Sequence, residues 1–194
     1  MRNIYFVLRH GWSLANTEKM IVSSPDDSLG EWGLSEEGVQ EVIDSVSKAR
    51  DEGILDGSTI IASSDFLRTK ETAETAARVL GASNIVFTPK LRERLFGNWD
   101  KTQNSNYQKV WDDDKIDHFH THERVESVAE VLKRSLAFIE ELERKYSGKK
   151  ILIVSHGDTL QILQTAFEGK HPSGHRSLLH LKTGEVRRLG EFGR

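Results

Sequence analysis

Two short stretches of the chain place a histidine one residue after an apolar run and directly before a glycine. Ile4-Tyr-Phe-Val-Leu8 leads into Arg9-His10-Gly11, and Ile151-Leu-Ile-Val154 leads into Ser155-His156-Gly157. A third, weaker run, Thr59-Ile-Ile-Ala62, leads through Ser63-Ser64-Asp65 into a segment carrying Arg68 and Thr69. Two histidines and two arginines gathered in one crevice are suited to phosphoryl transfer. A neutral imidazole is a competent nucleophile toward phosphorus, and guanidinium groups hold the equatorial oxygens and the charge of the transition state. Neighbouring arginines also depress the imidazole pKa and keep the attacking ring unprotonated. A second histidine can donate a hydrogen bond to the transferring group, and a carboxylic acid is then needed to protonate the leaving oxygen. Cys is absent, which excludes disulfides, thiol nucleophiles and thiolate metal sites. The expected chemistry uses no metal and no cofactor.

For these groups to meet, the apolar runs must be strands whose ends open into one crevice. Their length, β-branched content and lack of alternation are those of strands buried on both faces of a parallel sheet. Ligands of open α/β sheets sit outside the carboxyl ends of the strands, where both His-Gly pairs would project. Glycine after each histidine would let the chain turn sharply and the backbone come close to a ligand. Helical patterns separate the strands. One opens at Ser35 as N-cap with Glu36 and Glu37 in its first turn. A second runs from about Phe66 to Leu80, capped by Ser64 or Asp65 and stopped by Gly81. A third spans roughly Ser127 to Tyr146 on an apolar stripe from Val128 to Leu142, and a fourth runs from about Thr159 to Phe167. Ser177 to Leu181 and Glu185 to Leu189 flank Lys182-Thr183-Gly184, the pattern of a hairpin of edge strands. The polar stretch from about residue 98 to 124, with Asp112-Asp113-Asp114, Tyr107 and Trp111, lacks periodicity and is expected to be a loop or lid over the site.

The 194 residues, 37% hydrophobic and 29% charged with only 3 Pro, imply one globular α/β domain over 1–194, with the insertion at about 98–124 as its lid. A formal charge of −3 gives no general attraction to nucleic acid or to an anionic membrane, so a phosphorylated ligand must be held by local basic residues. The five-residue run ending at Leu8 is too short for a signal or spanning segment, and the expected location is the cytoplasm.

Leu8-Arg9-His10-Gly11 with Asn16 six residues after the histidine, Ser64-Asp-Phe-Leu-Arg68-Thr-Lys-Glu-Thr72-Ala73, Leu91-Arg-Glu93-Arg-Leu-Phe-Gly97 and Ser155-His156-Gly157 together resemble the histidine phosphatase superfamily, in its phosphoglycerate-mutase-like branch. The four blocks occur in order between about residues 4 and 190. The resemblance implies a three-layer α/β/α sandwich with a mostly parallel central sheet. It also implies that His10 is the phosphorylated histidine, Arg9 and Arg68 the phosphate-binding arginines and His156 the second pocket histidine. Asn16 would lie near the phosphate, Gly157 would contact it through the backbone, and Glu93 would be the proton donor. Two departures stand out. Position 12 is Trp, where many members have an acidic residue, and the stretch before Val125-Glu126-Ser127-Val128 lacks the two glycines often found there. Glu126 is accordingly given no role beyond helix entry.

Each of these residues also has a plainer reading. Glu93 stands between Arg92 and Arg94 and could belong to a solvated charge cluster. Asn16 could cap a turn. Asp158, directly after His156-Gly157, could be a rival acid, but it falls where an N-cap is expected and is read as a cap. His118, His120 and His122 could ligate a metal from an extended segment, although histidines in polar loops are usually unliganded. His171, His175 and His180 are read as structural. Mutases and phosphatases of this family differ in whether a second substrate hydroxyl or water accepts the phosphoryl group. A short acidic lid would grip a diffusing bisphosphate poorly. The expected function is therefore hydrolysis of a small phosphomonoester. The competing readings are a bisphosphate-dependent phosphoglycerate mutase and a catalytically weak relative that only binds phosphorylated ligands.

Overall fold

The structure is a computed structural model and describes residues 1–190. Along the chain the elements are β1 (Ile4–Arg9), α1 (Leu14–Thr17), α2 (Pro25–Ser28), α3 (Glu36–Asp51), β2 (Ile60–Ser64), α4 (Leu67–Leu80), β3 (Ile85–Thr88), α5 (Tyr107–Ile116), α6 (Val128–Lys145), β4 (Lys150–Ser155), α7 (Gly157–Phe167) and β5 (Val186–Arg188). The strands form one sheet in the order β3-β2-β4-β1-β5. The first four are parallel, and β5 joins β1 antiparallel.

Alternation along the central strands divides the core into two layers. Tyr5 and Val7, Ile60 and Ala62, and Ile151 and Ile153 face one side, where they meet Phe138, Ile139 and Leu142 of α6 and Leu160, Leu163 and Phe167 of α7. Phe6, Leu8, Ile61, Leu152 and Val154 face the other, against Val42, Val46 and Ala49 of α3 and Ala73, Ala76, Ala77 and Leu80 of α4. The architecture is the expected α/β/α sandwich. Apolar runs without alternation are what strands covered on both faces require.

Several local expectations are corrected. Helix α4 has no side-chain cap: Phe66 holds the N-cap position, while Ser64 Oγ accepts from the Phe66 N–H at 3.3 Å. The C-terminal hairpin does not form. Only Val186–Arg188 pairs, and it pairs with β1, while Leu181 turns inward to the core. The sequence gives no sign of β3, Ile85–Thr88, because it is only four residues long at the sheet edge. The aperiodic segment after residue 97 contains α5, a ten-residue helix with a small cluster of its own in which Tyr107 and Trp99 pack on Ile21, Phe96, Val110 and Val125.

Candidate active site

In the parallel register Arg9 lies opposite Ser155 and Ser63 opposite Val154, so β1, β4 and β2 end side by side. The ladder runs one residue further, with the His10 N–H donating to the Ser155 carbonyl at 3.0 Å. His10 and His156 leave the sheet together as a result, with ring centroids 5.3 Å apart at 61°. Arg68 enters from the second residue of α4, which follows β2.

His10 is 4% exposed, and its Nδ1 lies 2.8 Å from the Gly11 carbonyl. A carbonyl only accepts, so Nδ1 carries the proton and the lone pair is on Nε2. Burial, then Arg68 and Arg9, hold the imidazole pKa well below its ordinary value, and the ring is neutral near pH 7. His156 is fully buried and is lowered in the same way, first by burial and then by Arg68. Its Nδ1 accepts from Arg68 Nε at 3.2 Å, which leaves the proton on Nε2, 2.9 Å from Ser64 Oγ.

The arginines are anchored but unsatisfied. Arg9 Nη1 donates to the Leu181 carbonyl at 2.9 Å and to His180 Nε2 at 2.9 Å, and Arg68 Nη2 donates to the Val22 carbonyl at 3.0 Å. Arg9 Nε and Arg68 Nη1, by contrast, are buried with no hydrogen-bond partner. A buried charged donor without an acceptor is costly, and two of them beside a neutral histidine form a preset anion site. Gly157 adds to it as the first residue of α7, where backbone N–H groups have no intrahelical acceptor. A Cβ there would stand 3.2 Å from Arg9 Cζ, so glycine keeps the guanidinium face open. Gly11 serves a different end than expected. A Cβ at Gly11 would fall 2.2 Å from the Gly38 carbonyl oxygen, so its close approach is to α3 and not to a ligand.

Asn16 takes both of its readings. It lines the pocket, and its Oδ1 accepts from Ser13 N at 3.0 Å and Ser13 Oγ at 2.9 Å in the capping box of α1. Glu93 is not in a solvated charge cluster. Arg92 turns away to a bidentate pair with Asp65, and Arg94 to Asp114. Glu93 Oε1 accepts from Arg94 N at 2.9 Å and from Thr159 N and Oγ1, each at 3.2 Å. Burial, reinforced by the Asp158 carboxylate, pushes its pKa up and favours the protonated acid.

Asp158 does not cap α7, which starts one residue before it. Its Oδ2 receives Arg94 Nη1 at 3.3 Å and its Oδ1 receives Trp111 Nε1 at 3.0 Å, with Arg176 Nη1 3.7 Å away. Against the upward push of burial, His175, Arg94 and Arg176 hold its pKa below the ordinary carboxylate value. Glu126 also does more than open a helix: it forms an ion pair with Arg134 at 2.7 Å and receives the Leu95 N–H at 3.2 Å, bracing the segment that carries Glu93.

Arg9, Glu93, Asn16 and Gly157 share a cavity of about 220 Å³ with Tyr107, Trp111, Arg176 and His180. The last four come from α5 and from the stretch after α7; the sequence places Tyr107 and Trp111 in the lid, but Arg176 is not singled out and His180 is read as structural. Arg176 and His180 sit in an aperiodic tail with no signal to separate them from surface residues. His180, read as structural, contacts Arg9. Its pKa is lowered to about 4, mostly by burial and then by Arg9, so it accepts the Arg9 hydrogen bond as a neutral ring.

Residues 5–192 match the family described as the histidine phosphatase superfamily (branch 1). Over 199 aligned residues, covering 97% of this chain and 85% of the relative, the chain is 29% identical to "Probable phosphoglycerate mutase GpmB" of Escherichia coli O139:H28. Among solved structures, a mycobacterial glucosyl-3-phosphoglycerate phosphatase superposes with a TM-score of 0.77 at 19% identity, over 95% of this chain and 88% of that one. Bacillus stearothermophilus YhfR superposes with a TM-score of 0.74 at 24% identity, over 95% and 89%. With the fold, the paired histidines and the full-length family match in agreement, the chain belongs to the histidine phosphatase superfamily.

Proposed function

We propose that this protein hydrolyses a small phosphomonoester through a phosphohistidine at His10. The observation that carries the reading is the pair of buried, unsatisfied guanidinium nitrogens, Arg9 Nε and Arg68 Nη1, beside a neutral histidine whose lone pair is on Nε2. In the first step Nε2 attacks phosphorus, the P–O ester bond breaks, and the leaving oxygen takes the proton of Glu93. Arg9, Arg68, His156 and the start of α7 hold the equatorial oxygens as charge develops on them, with Asn16 at the rim. In the second step the Glu93 carboxylate takes a proton from water, the water oxygen bonds to phosphorus, and the P–N bond breaks to restore neutral His10. None of these steps calls for a metal, a nucleic acid or a membrane. Among the described residues no helix is long and apolar enough to cross one.

The preference for water over a second substrate acquires a different basis from the one the sequence suggests. The acidic run does not face the pocket: Asp112 pairs with Lys115, Asp113 with His122, and Asp114 is buried against Arg94. Retention of a bisphosphate would instead need spare cations in the cavity. Arg176 is committed to Asp158 and Gln161, with its guanidinium carbon 3.6 Å from the Trp111 ring centroid. That favours hydrolysis.

The purified protein should release phosphate from p-nitrophenyl phosphate without added metal and in the presence of chelators, and His10→Ala should abolish turnover and the acid-labile phosphoenzyme. Bisphosphate-dependent interconversion of 2- and 3-phosphoglycerate would overturn the hydrolase reading in favour of a mutase. Absence of turnover across a broad phosphomonoester panel would leave only a binding role.

A further inference from the structure

Away from the catalytic cavity, the end of α5 and the loop after it bring Asp113, His120 and His122 together, each offering one ligand atom, all within 4.8 Å of one another. His122 Nδ1 and Asp113 Oδ2 are 3.2 Å apart on exposed side chains. His120 is different: its side chain is 2% exposed, its Nε2 lies 2.8 Å from Asp114 Oδ1, and its buried Nδ1 has no hydrogen-bond partner. Asp114 accepts both Nη groups of Arg94 at 2.7 Å, as an ionised carboxylate does. Nε2 of His120 therefore carries a proton, and in the neutral ring the lone pair is on Nδ1. A buried lone pair without a donor costs about 1–3 kcal/mol, and a cation would relieve it.

We propose that Asp113, His120 and His122 bind a divalent transition-metal cation of the zinc class, which clips the loop to the end of α5. Two imidazoles and one carboxylate are a donor set for borderline ions, with water in the fourth position. The Asp114–His120 contact supplies the supporting carboxylate that commonly orients a metal-binding histidine through its far nitrogen. Ligand atoms around a tetrahedral ion at ~2.0–2.2 Å stand ~3.3 Å apart. His122 and Asp113 already meet that spacing, and both have the freedom to close on the fixed His120 ring. The third histidine of the sequence pattern is not part of the site, since His118 packs on Phe119 and His171. Because α5 also carries Tyr107 and Trp111 into the catalytic cavity, the ion would steady a wall of that cavity without entering the reaction.

Titration of the metal-stripped full chain with Zn²⁺ by calorimetry, paired with thermal unfolding, tests the site. One ion per chain at micromolar affinity or better is expected, with a rise in Tm on binding. His122→Ala and Asp113→Asn, both at exposed side chains that leave the core intact, should each weaken binding roughly tenfold or more. His120→Asn should do the same. Failure of the wild-type chain to bind a stoichiometric ion would overturn the proposal. So would equal binding by wild-type protein and the His122→Ala/Asp113→Asn double variant, which would place the ion elsewhere.

Discussion

Replacing Glu93 by Gln tests the acid assignment most directly, because the change keeps the shape of the side chain and removes its acidic proton, putting an amide NH2 in place of the hydroxyl. The three donors on Oε1, from Arg94 N and Thr159, can still bond the amide oxygen, so the side chain should stay in place. What disappears is a carboxylic acid kept protonated above its ordinary range by burial and by Asp158. A positioned general acid contributes on the order of 10²–10³ to the rate when the leaving group is a poor one. That corresponds to about 2.7–4.1 kcal/mol of transition-state stabilisation. An alkyl phosphate should lose that much in kcat/KM, which reports phosphorylation of His10 and not the shared hydrolysis step, whereas p-nitrophenyl phosphate, whose phenolate leaves unaided, should lose less than about tenfold in the same ratio. The pH profiles should separate as well. With wild-type protein, alkyl phosphate turnover falls as pH climbs through the raised Glu93 pKa, and the variant should lack that limb. Steady-state kcat/KM on matched aryl and alkyl phosphates across pH is the assay. Equal losses on both substrates would refute Glu93 as the acid.

Gly11→Ala should destabilise the fold by about 1–3 kcal/mol, read as a lower urea midpoint, because the new methyl would meet the Gly38 carbonyl oxygen at 2.2 Å, backbone against backbone. Arg94→Ala leaves Asp114 and Asp158 buried without their cation and should cost about 3–5 kcal/mol, a drop in Tm on the order of 10 °C by calorimetry. Stability should also fall as pH drops below about 6.5, because the unfolded chain then takes up protons that buried His10 and His156 refuse. Each of these histidines contributes a slope of about 1.4 kcal/mol per pH unit, and that contribution levels off above the unfolded pKa. Chemical denaturation between pH 5 and 8 checks this, and His10→Asn should flatten the slope by roughly one histidine's worth.

The strands that build the pocket were legible because each is an uninterrupted apolar run, and the ends carrying His10 and His156 pointed to one crevice; the order β3-β2-β4-β1-β5 was not. Helices with strong stripes, such as α6, were equally plain. The misses share a cause. β3 is four residues at an edge, and α5 spends its apolar side chains on a small local cluster, so neither shows the periodicity of an element packed on the main core. The Asp158 cap expectation failed because residue type alone was used. The helix begins at Gly157, which places Asp158 inside the first turn, where its carboxylate is free to meet Arg94 and Trp111.

That misplacement bears on the chemistry. Residue identity showed two arginines near the histidines, but not which of the remaining charges would be neutralised. Arg94, whose place beside Glu93 also allowed a solvated charge cluster, is buried and holds Asp114 and Asp158 at once, while Arg176 covers Asp158 from the pocket side. With these cations spent on Asp158, its charge still raises Glu93 without taking its proton, and Glu93 is left as the carboxyl in the cavity able to donate one. Two carboxyl groups with environments that push their pKa values apart are the arrangement expected of an acid and its electrostatic partner, the roles proposed for Glu93 and Asp158. The division depends on which guanidinium faces which carboxylate, and that is decided by how α5, α7 and the tail pack together, beyond the reach of spacing along the chain.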